Sequence, residues 1–198
     1  MQTPLADYAQ GAALATALTN SRPTSRSSGE LLTGPSALGR FLTEHLAPPA
    51  PTAYTTQPPA HLPTVHDLAQ VRALRQELYR LIAADDEESL VTGATALLGR
   101  AARPTLRRDP TGRWQWHVVT PPEATLAEQL GVVAACGLLG TLRALGHDRF
   151  RRCASPGCTG VFVDTSKAGR RRYCMPSLCG NRLNVANHRA RRVTESSR

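Results

Sequence analysis

Leu68, Val71, Leu74, Leu78 and Leu81 recur at intervals of three and four residues, the spacing that lays apolar side chains along one face of a helix. Thr64 stands where an N-cap belongs, and Asp67 near the third position can return the hydrogen bond. Arg72, Arg75 and Arg80 lie off that stripe. A second helix is predicted from Asp86 to Ala101, with Glu87 and Glu88 at the positive end of its dipole. Shorter helices are predicted over 5–19 and over 36–46, the latter with Ser36 as N-cap. The period changes at Thr105. Asp109-Pro110-Thr111-Gly112 reads as a turn, and Trp114, Trp116 and Val118 alternate after it, so a hairpin is predicted over 105–119. Thr120, Pro121 and Glu123 then read as N-cap, first helical position and capping box of a helix running to about Leu145. Its second half is apolar nearly all round, which marks a central core helix, and Gly137 and Gly140 would let a neighbour approach closely.

Between the second and third helices, residues 48–63 are rich in proline and read as a long surface loop or spacer, a docking ligand being the alternative. No internal repeat is visible. Hydrophobic residues make up 41% of the 198 but aromatics only 5%, so Leu and Ala must fill the core, which favours helices. The fold class expected is mainly α with a small β-hairpin and a small C-terminal metal module. The apolar run Leu130–Leu142 falls short of the roughly 20 residues that cross a bilayer. The start of the chain lacks the positive region of a targeting signal. A soluble, cytoplasmic protein is the expectation.

Charge divides the chain. Residues 149–198 carry twelve Lys/Arg against Asp164 and Glu195, about +10, whereas residues 1–148 come to about −1. A zinc ion held by four thiolates would bring the C-terminal segment to about +8. Such a concentration of one sign points to a polyanionic partner, with a solubilising tail as the alternative. The same break divides a body, 1–148, from a basic module, 149–198.

Cys153-x4-Cys158 and Cys174-x4-Cys179 have the pairing of a tetrahedral zinc site, one structural Zn²⁺ with no place left for water. Two disulfides are the alternative, and they need an oxidising compartment. Pro156 and Gly157 sit at the turn of the first knuckle. Val161-Phe162-Val163-Asp164 reads as the strand leaving it, Arg170 to Cys174 as a return strand, and Cys179 as the start of a helix over 181–193. That order is treble-clef-like. On the last helix Leu183, Ala186, Ala190 and Val193 share one side. Arg182, Asn184, His188, Arg189, Arg191 and Arg192 share the rest, and Arg170, Arg171 and Arg172 add a second basic edge. Arg and Asn pair with guanine and adenine edges, and clustered Arg also meets phosphates. Duller roles compete: Asn181 as a cap, Arg182 as a brace of the zinc loop, Asp164 in an internal salt bridge. Cys136, the fifth cysteine, reads as a buried, inert thiol.

Cys153, Cys158, Phe162, Asp164, Ser166, Arg171, Arg172, Cys174, Met175 and Cys179-Gly180-Asn181-Arg182 resemble the CGNR zinc-finger family over about 45 residues. Members usually carry an N-terminal helical domain of the ABATE type, proposed as a sensor in stress-responsive bacterial transcription regulators. Glu30-Leu31-Leu32 leading to Leu38 and Phe41, the Trp-containing hairpin and the apolar helix look like that domain. Tyr173 takes a place often held by Trp, and Leu183-Asn184 replaces a small-residue-plus-Lys pair, which removes one cationic side chain from the phosphate-contacting set. The resemblance implies a regulator that binds double-stranded DNA through the finger and is nucleoid-associated when bound. Its N-terminal domain would sense a signal such as a small-molecule effector, or mediate self-association as a homodimer. The alternative is an RNA-binding or protein-docking zinc module, since fold does not settle function. No Gly-rich phosphate loop, carboxylate–His metal set or nucleophile elbow appears, so an enzyme is not expected.

Overall fold

Thr64 Oγ1 accepts from the Asp67 amide at 3.1 Å, and Asp67 Oδ2 accepts from the Thr64 amide at 2.8 Å. This reciprocal box starts the longest of the helices that precede the hairpin, as the spacing predicts. The computed structural model describes residues 8–24, 29–46, 62–108 and 111–180, and the backbone of 2–4. In chain order the elements are β1 (Gln2–Pro4), α1 (Tyr8–Asn20), α2 (Pro35–Leu46), α3 (Val65–Ile82), α4 (Glu87–Gly99), β2 (Arg103–Arg108), β3 (Trp114–Val119), α5 (Leu126–Leu145), β4 (Phe150–Arg152) and β5 (Val161–Val163). The fold is mainly α with two small antiparallel sheets, ordered β1-β3-β2 and β4-β5. The Pro-rich stretch over 47–61 and the helix expected over 181–193 lie outside the described residues.

α5 is the centre. One face meets α1 at backbone distance: a Cβ built on Gly137 would lie 2.1 Å from the Ala12 amide nitrogen and 2.2 Å from the Gly11 carbonyl carbon. A Cβ on Gly140 would lie 2.4 Å from that of Tyr8, so both glycines do let the neighbour approach closely. Leu14, Leu18, Leu38, Leu42, Leu78, Leu90, Leu130 and Leu138 fill the surrounding core, all essentially sealed from solvent. By length and composition α5 could also cross a membrane, yet here most of it is buried inside the helical body.

Several boundaries depart from expectation. α5 begins after Thr125, whose hydroxyl accepts from the Glu128 amide, and not after Thr120. Both Thr-x-x-Glu sets fit the capping pattern. Pro121, however, precedes Pro122, and a residue before proline is pushed out of the α region, so the first set forms a turn. α2 starts at Pro35, which places Ser36 inside the first turn and not at the cap; Pro's fixed φ suits a first helical position. β1 was not anticipated. It pairs with β3, Gln2 opposite Val119, across more than a hundred residues and carries no local periodicity. Arg75, off the apolar stripe, is buried: its guanidinium grips Glu30 at 2.7 and 2.6 Å and reaches the Ser21 hydroxyl at 3.2 Å. This bidentate pair ties α3 to the segment after α1 and holds the Glu30 carboxyl below its ordinary range.

Candidate metal centre and nucleic-acid interface

The knuckle closes on itself. The Cys153 amide donates to the Gly160 carbonyl at 2.8 Å, the Cys158 amide to the Ser155 carbonyl at 3.1 Å, and Gly157 takes the positive φ of 71° that the turn requires. Because the chain doubles back there, the strands on either side of the knuckle pair with each other: Phe150 opposite Val163, Arg151 opposite Phe162, Arg152 opposite Val161. The expected return strand at 170–174 does not form. That segment gives one backbone hydrogen bond, from the Ala154 amide to the Arg172 carbonyl, and then delivers Cys174. β4, Phe150-Arg151-Arg152, has no alternation of its own, and only its pairing with β5 makes it a strand.

Cys153, Cys158, Cys174 and Cys179 converge, their sulfurs all within 4.8 Å of one another. Cys158 Sγ to Cys174 Sγ is 3.7 Å, and Cys179 Sγ lies 3.8 Å from each of those two. A tetrahedron with Zn–S bonds of about 2.3 Å has edges of about 3.8 Å, so the donor set fits zinc. A disulfide needs about 2.05 Å, and no pair approaches that. The Gly160 amide points at Cys158 Sγ at 3.4 Å and the Cys174 amide at Cys153 Sγ at 3.5 Å, the donors a thiolate uses. Burial and the neighbouring sulfurs push the Cys174 thiol well up, and burial leads in pushing Cys179 up to about 11. Four sulfurs this close cannot all ionise without a cation between them. The arrangement is a closed, structural zinc site with four cysteine ligands. Cys179 sits in a short turn of π-helix, Pro176–Gly180, with Gly180 following it.

β5 has two faces with two owners. Phe162, fully buried, packs with Cys174 and Cys179, while Val161 and Val163 belong to the core of the helical body. The body also meets the strand's polar groups. Thr16 Oγ1 accepts from the Val163 amide at 3.0 Å, and Asn20 Nδ2 donates to the Val161 carbonyl at 2.6 Å. Side chains of α1 thus take the place of a neighbouring strand. Past the end of α1, the Thr24 carbonyl accepts from the Thr159 amide at 2.7 Å. Gly160 is wedged between these parts, since a Cβ there would lie 2.4 Å from Cys174 Sγ and 2.7 Å from Asn20 Oδ1. A groove of about 570 Å³ runs along this seam, with Phe41 and His45 of α2 on one side and Arg171, Met175 and Pro176 on the other.

The finger's arginines fall into two groups. Arg171 donates to the carbonyls of Tyr173 (2.9 Å) and Cys174, and its guanidinium lies over the Phe162 ring at 4.8 Å. Expected on the basic edge, it instead braces the zinc loop. Arg149 reaches the Ser166 carbonyl at 2.8 Å and Arg151 the Gly169 carbonyl at 2.8 Å; neither was singled out from sequence. Asp164 is the hub of this bracing. Fully buried, it accepts from the Ser166 hydroxyl (2.6 Å), the Arg171 amide (2.9 Å) and Arg151 (3.4 Å). Burial alone would raise its carboxyl, but these hydrogen bonds and the Arg151 charge hold it below the ordinary range. Arg170 and Arg172 remain exposed. Asn181, Arg182, Asn184, His188, Arg189, Arg191 and Arg192 lie outside the described residues. Cys136, on α5, is buried, and burial pushes its thiol up to about 11, so it is inert at neutral pH.

Residues 12–144 match the ABATE family, described as "Putative stress-induced transcription regulator", and residues 149–192 match the CGNR zinc finger. No curated protein matches the chain.

Proposed function

Because the chain belongs to the ABATE family and ends in a CGNR zinc finger, we propose that it is a transcription regulator that grips duplex DNA with its zinc-held basic segment. The observation that carries this is the charge: about +10 after Asp148 on a body of about −1. Arg149, Arg151 and Arg171 are consumed in bracing, so the contacts to DNA fall to Arg170, Arg172 and the basic residues from Arg182 onward. Zinc fixes the platform and takes no part in recognition itself. The helical body senses a signal or mediates self-association. An effector seated in the groove at the seam would touch α1, α2 and the zinc loop at once, and so bias how the finger is held. Such a regulator works in the bacterial cytoplasm, where thiols stay reduced and available to metal.

Fluorescence anisotropy of zinc-loaded protein on duplex DNA across a salt series tests the proposal. Binding should weaken steeply with salt, by a log–log slope of about −0.9 per phosphate contact. Changing Arg191 and Arg192 to Ala should flatten the slope and leave the zinc in place. If neutralising Arg170, Arg172, Arg191 and Arg192 together leaves binding untouched, the finger is not the DNA grip. Preference for RNA, or no nucleic-acid binding at low salt, hands the function to an RNA-binding or protein-docking module.

A further inference from the structure

The β2–β3 hairpin leaves large apolar side chains in solvent. Val118 at its base is buried against Val132 and Cys136 of α5. Further along the same face, Leu106, Trp114 and Trp116 are 47%, 59% and 54% exposed. Pairing puts Leu106 opposite Trp116 and Arg108 opposite Trp114, so the four form one continuous patch. The opposite face presents the exposed Arg103 and Arg107. Residues 103–113 hold four of the body's twelve basic residues against the single acid Asp109, a basic ribbon on a body that is otherwise net acidic. Among the described residues, nothing in the zinc module or in the core accounts for it.

We propose that this hairpin is a second contact to duplex DNA, its end beyond the β1 pairing laid as a two-stranded ribbon in a groove, with Trp114 and Trp116 against the groove wall and Arg103 and Arg107 toward phosphates. The identity of the polyanion rests on the reading of the finger given above. The ribbon's own chemistry decides among partners. A second copy of the chain is disfavoured, because a two-fold interface would set this basic ribbon against itself. Single strands use open ring faces for stacking. One face of Trp114 is already covered by the Arg108 guanidinium, 4.5 Å from the ring centroid, which leaves the pair presenting donors and charge. A major groove about 12 Å wide admits a β-ribbon, and its walls are phosphate.

The chain has two tryptophans and both are on this hairpin, so the Trp emission of the full zinc-loaded protein, excited at wavelengths its four tyrosines do not absorb, reads the ribbon alone. Titration with duplex DNA should change Trp emission and lower its quenching by iodide, in step with the anisotropy of the labelled duplex. Replacing Arg103 and Arg107 by Gln should reduce the salt slope by about 1.8, two phosphate contacts, without lowering the melting temperature. Trp116→Ala, which removes an exposed ring, should weaken duplex binding several-fold. Anisotropy that rises while Trp emission and iodide quenching stay fixed overturns this proposal and leaves the finger's role intact. Absence of any anisotropy change removes both. A larger emission change on single strands, a blue shift on anionic phospholipid vesicles that exceeds the response to DNA, or Trp burial that follows protein concentration without DNA also overturns it, in favour of strand, membrane or self-association respectively.

Discussion

Two glycines of α5, six residues apart, should respond to alanine with opposite signs. A Cβ at Gly137 would stand 2.1 Å from the Ala12 nitrogen and 2.2 Å from the Gly11 carbonyl carbon, both backbone atoms of a helix that cannot yield locally. To restore contact near 3.4 Å, α1 must move outward by roughly 1 Å, loosening Ala12, Ala15 and Leu18, which are sealed from solvent. Overpacking of this kind costs about 3 kcal/mol, against about 1 kcal/mol gained from helix propensity. The net loss is about 2 kcal/mol, a fall in Tm of about 4–8 °C for a chain of this size. At Gly131 the added Cβ would meet Leu74 at 3.5 Å and Leu97 at 3.8 Å, ordinary contact, so only the propensity gain remains. Gly131→Ala should raise Tm by about 2–4 °C. Differential scanning calorimetry of the two variants beside the parent decides it. A Gly137→Ala protein that melts with or above the parent would refute the α1–α5 packing described.

The zinc site and its surroundings give further expectations. Freshly purified, reduced protein should carry one zinc by native mass spectrometry, and Cys158→Ser should abolish it. Because Val161 and Val163 sit in the body's core, that variant should also lower the melting temperature of the helices, read by far-UV circular dichroism. A fragment ending at residue 148 lacks both valines and leaves Thr16 and Asn20 without their strand, so it should melt well below the full chain. Asp164→Asn removes a buried, fully used carboxylate and should cost about 2–3 kcal/mol in chemical denaturation. Glu30, held by Arg75, has a folded pKa below its unfolded value near 4.5. Its contribution is therefore full above that pH and lost as pH falls through the folded value, so Glu30→Gln should flatten the acid limb of the stability profile.

What the sequence made legible was local. Thr64 and Asp67, the strand alternation of the hairpin, the cysteine spacing and the glycines of α5 carry their signals within a few residues, and the structure uses them as read. What it hid was pairing at a distance. β1 is three residues long and has no pattern of its own; only β3 makes it a strand. Arg75 looked like a surface residue until Glu30, 45 positions away, neutralised it inside the core. Thr120 and Thr125 offer the same capping motif, and the choice turned on the Pro121-Pro122 step. At the site, the ligands were readable but the division of labour among the arginines was not, because a bracing Arg and a DNA-facing Arg have the same composition and differ only in which carbonyls lie within reach.

The hydrogen bond from Val163 to Thr16 joins positions 147 residues apart, and α1 packs chiefly on α5, also far downstream, with lesser contacts to α2 and α3. A ribosome adding about 5–20 residues per second needs roughly 7–30 s to synthesise the stretch between them. For most of that interval Leu14 and Leu18 have been made while α5 and β5, their principal cover, have not. The first helix of this protein therefore completes its packing only when α5 and β5 have been made, and until then its apolar face is open to non-native contact.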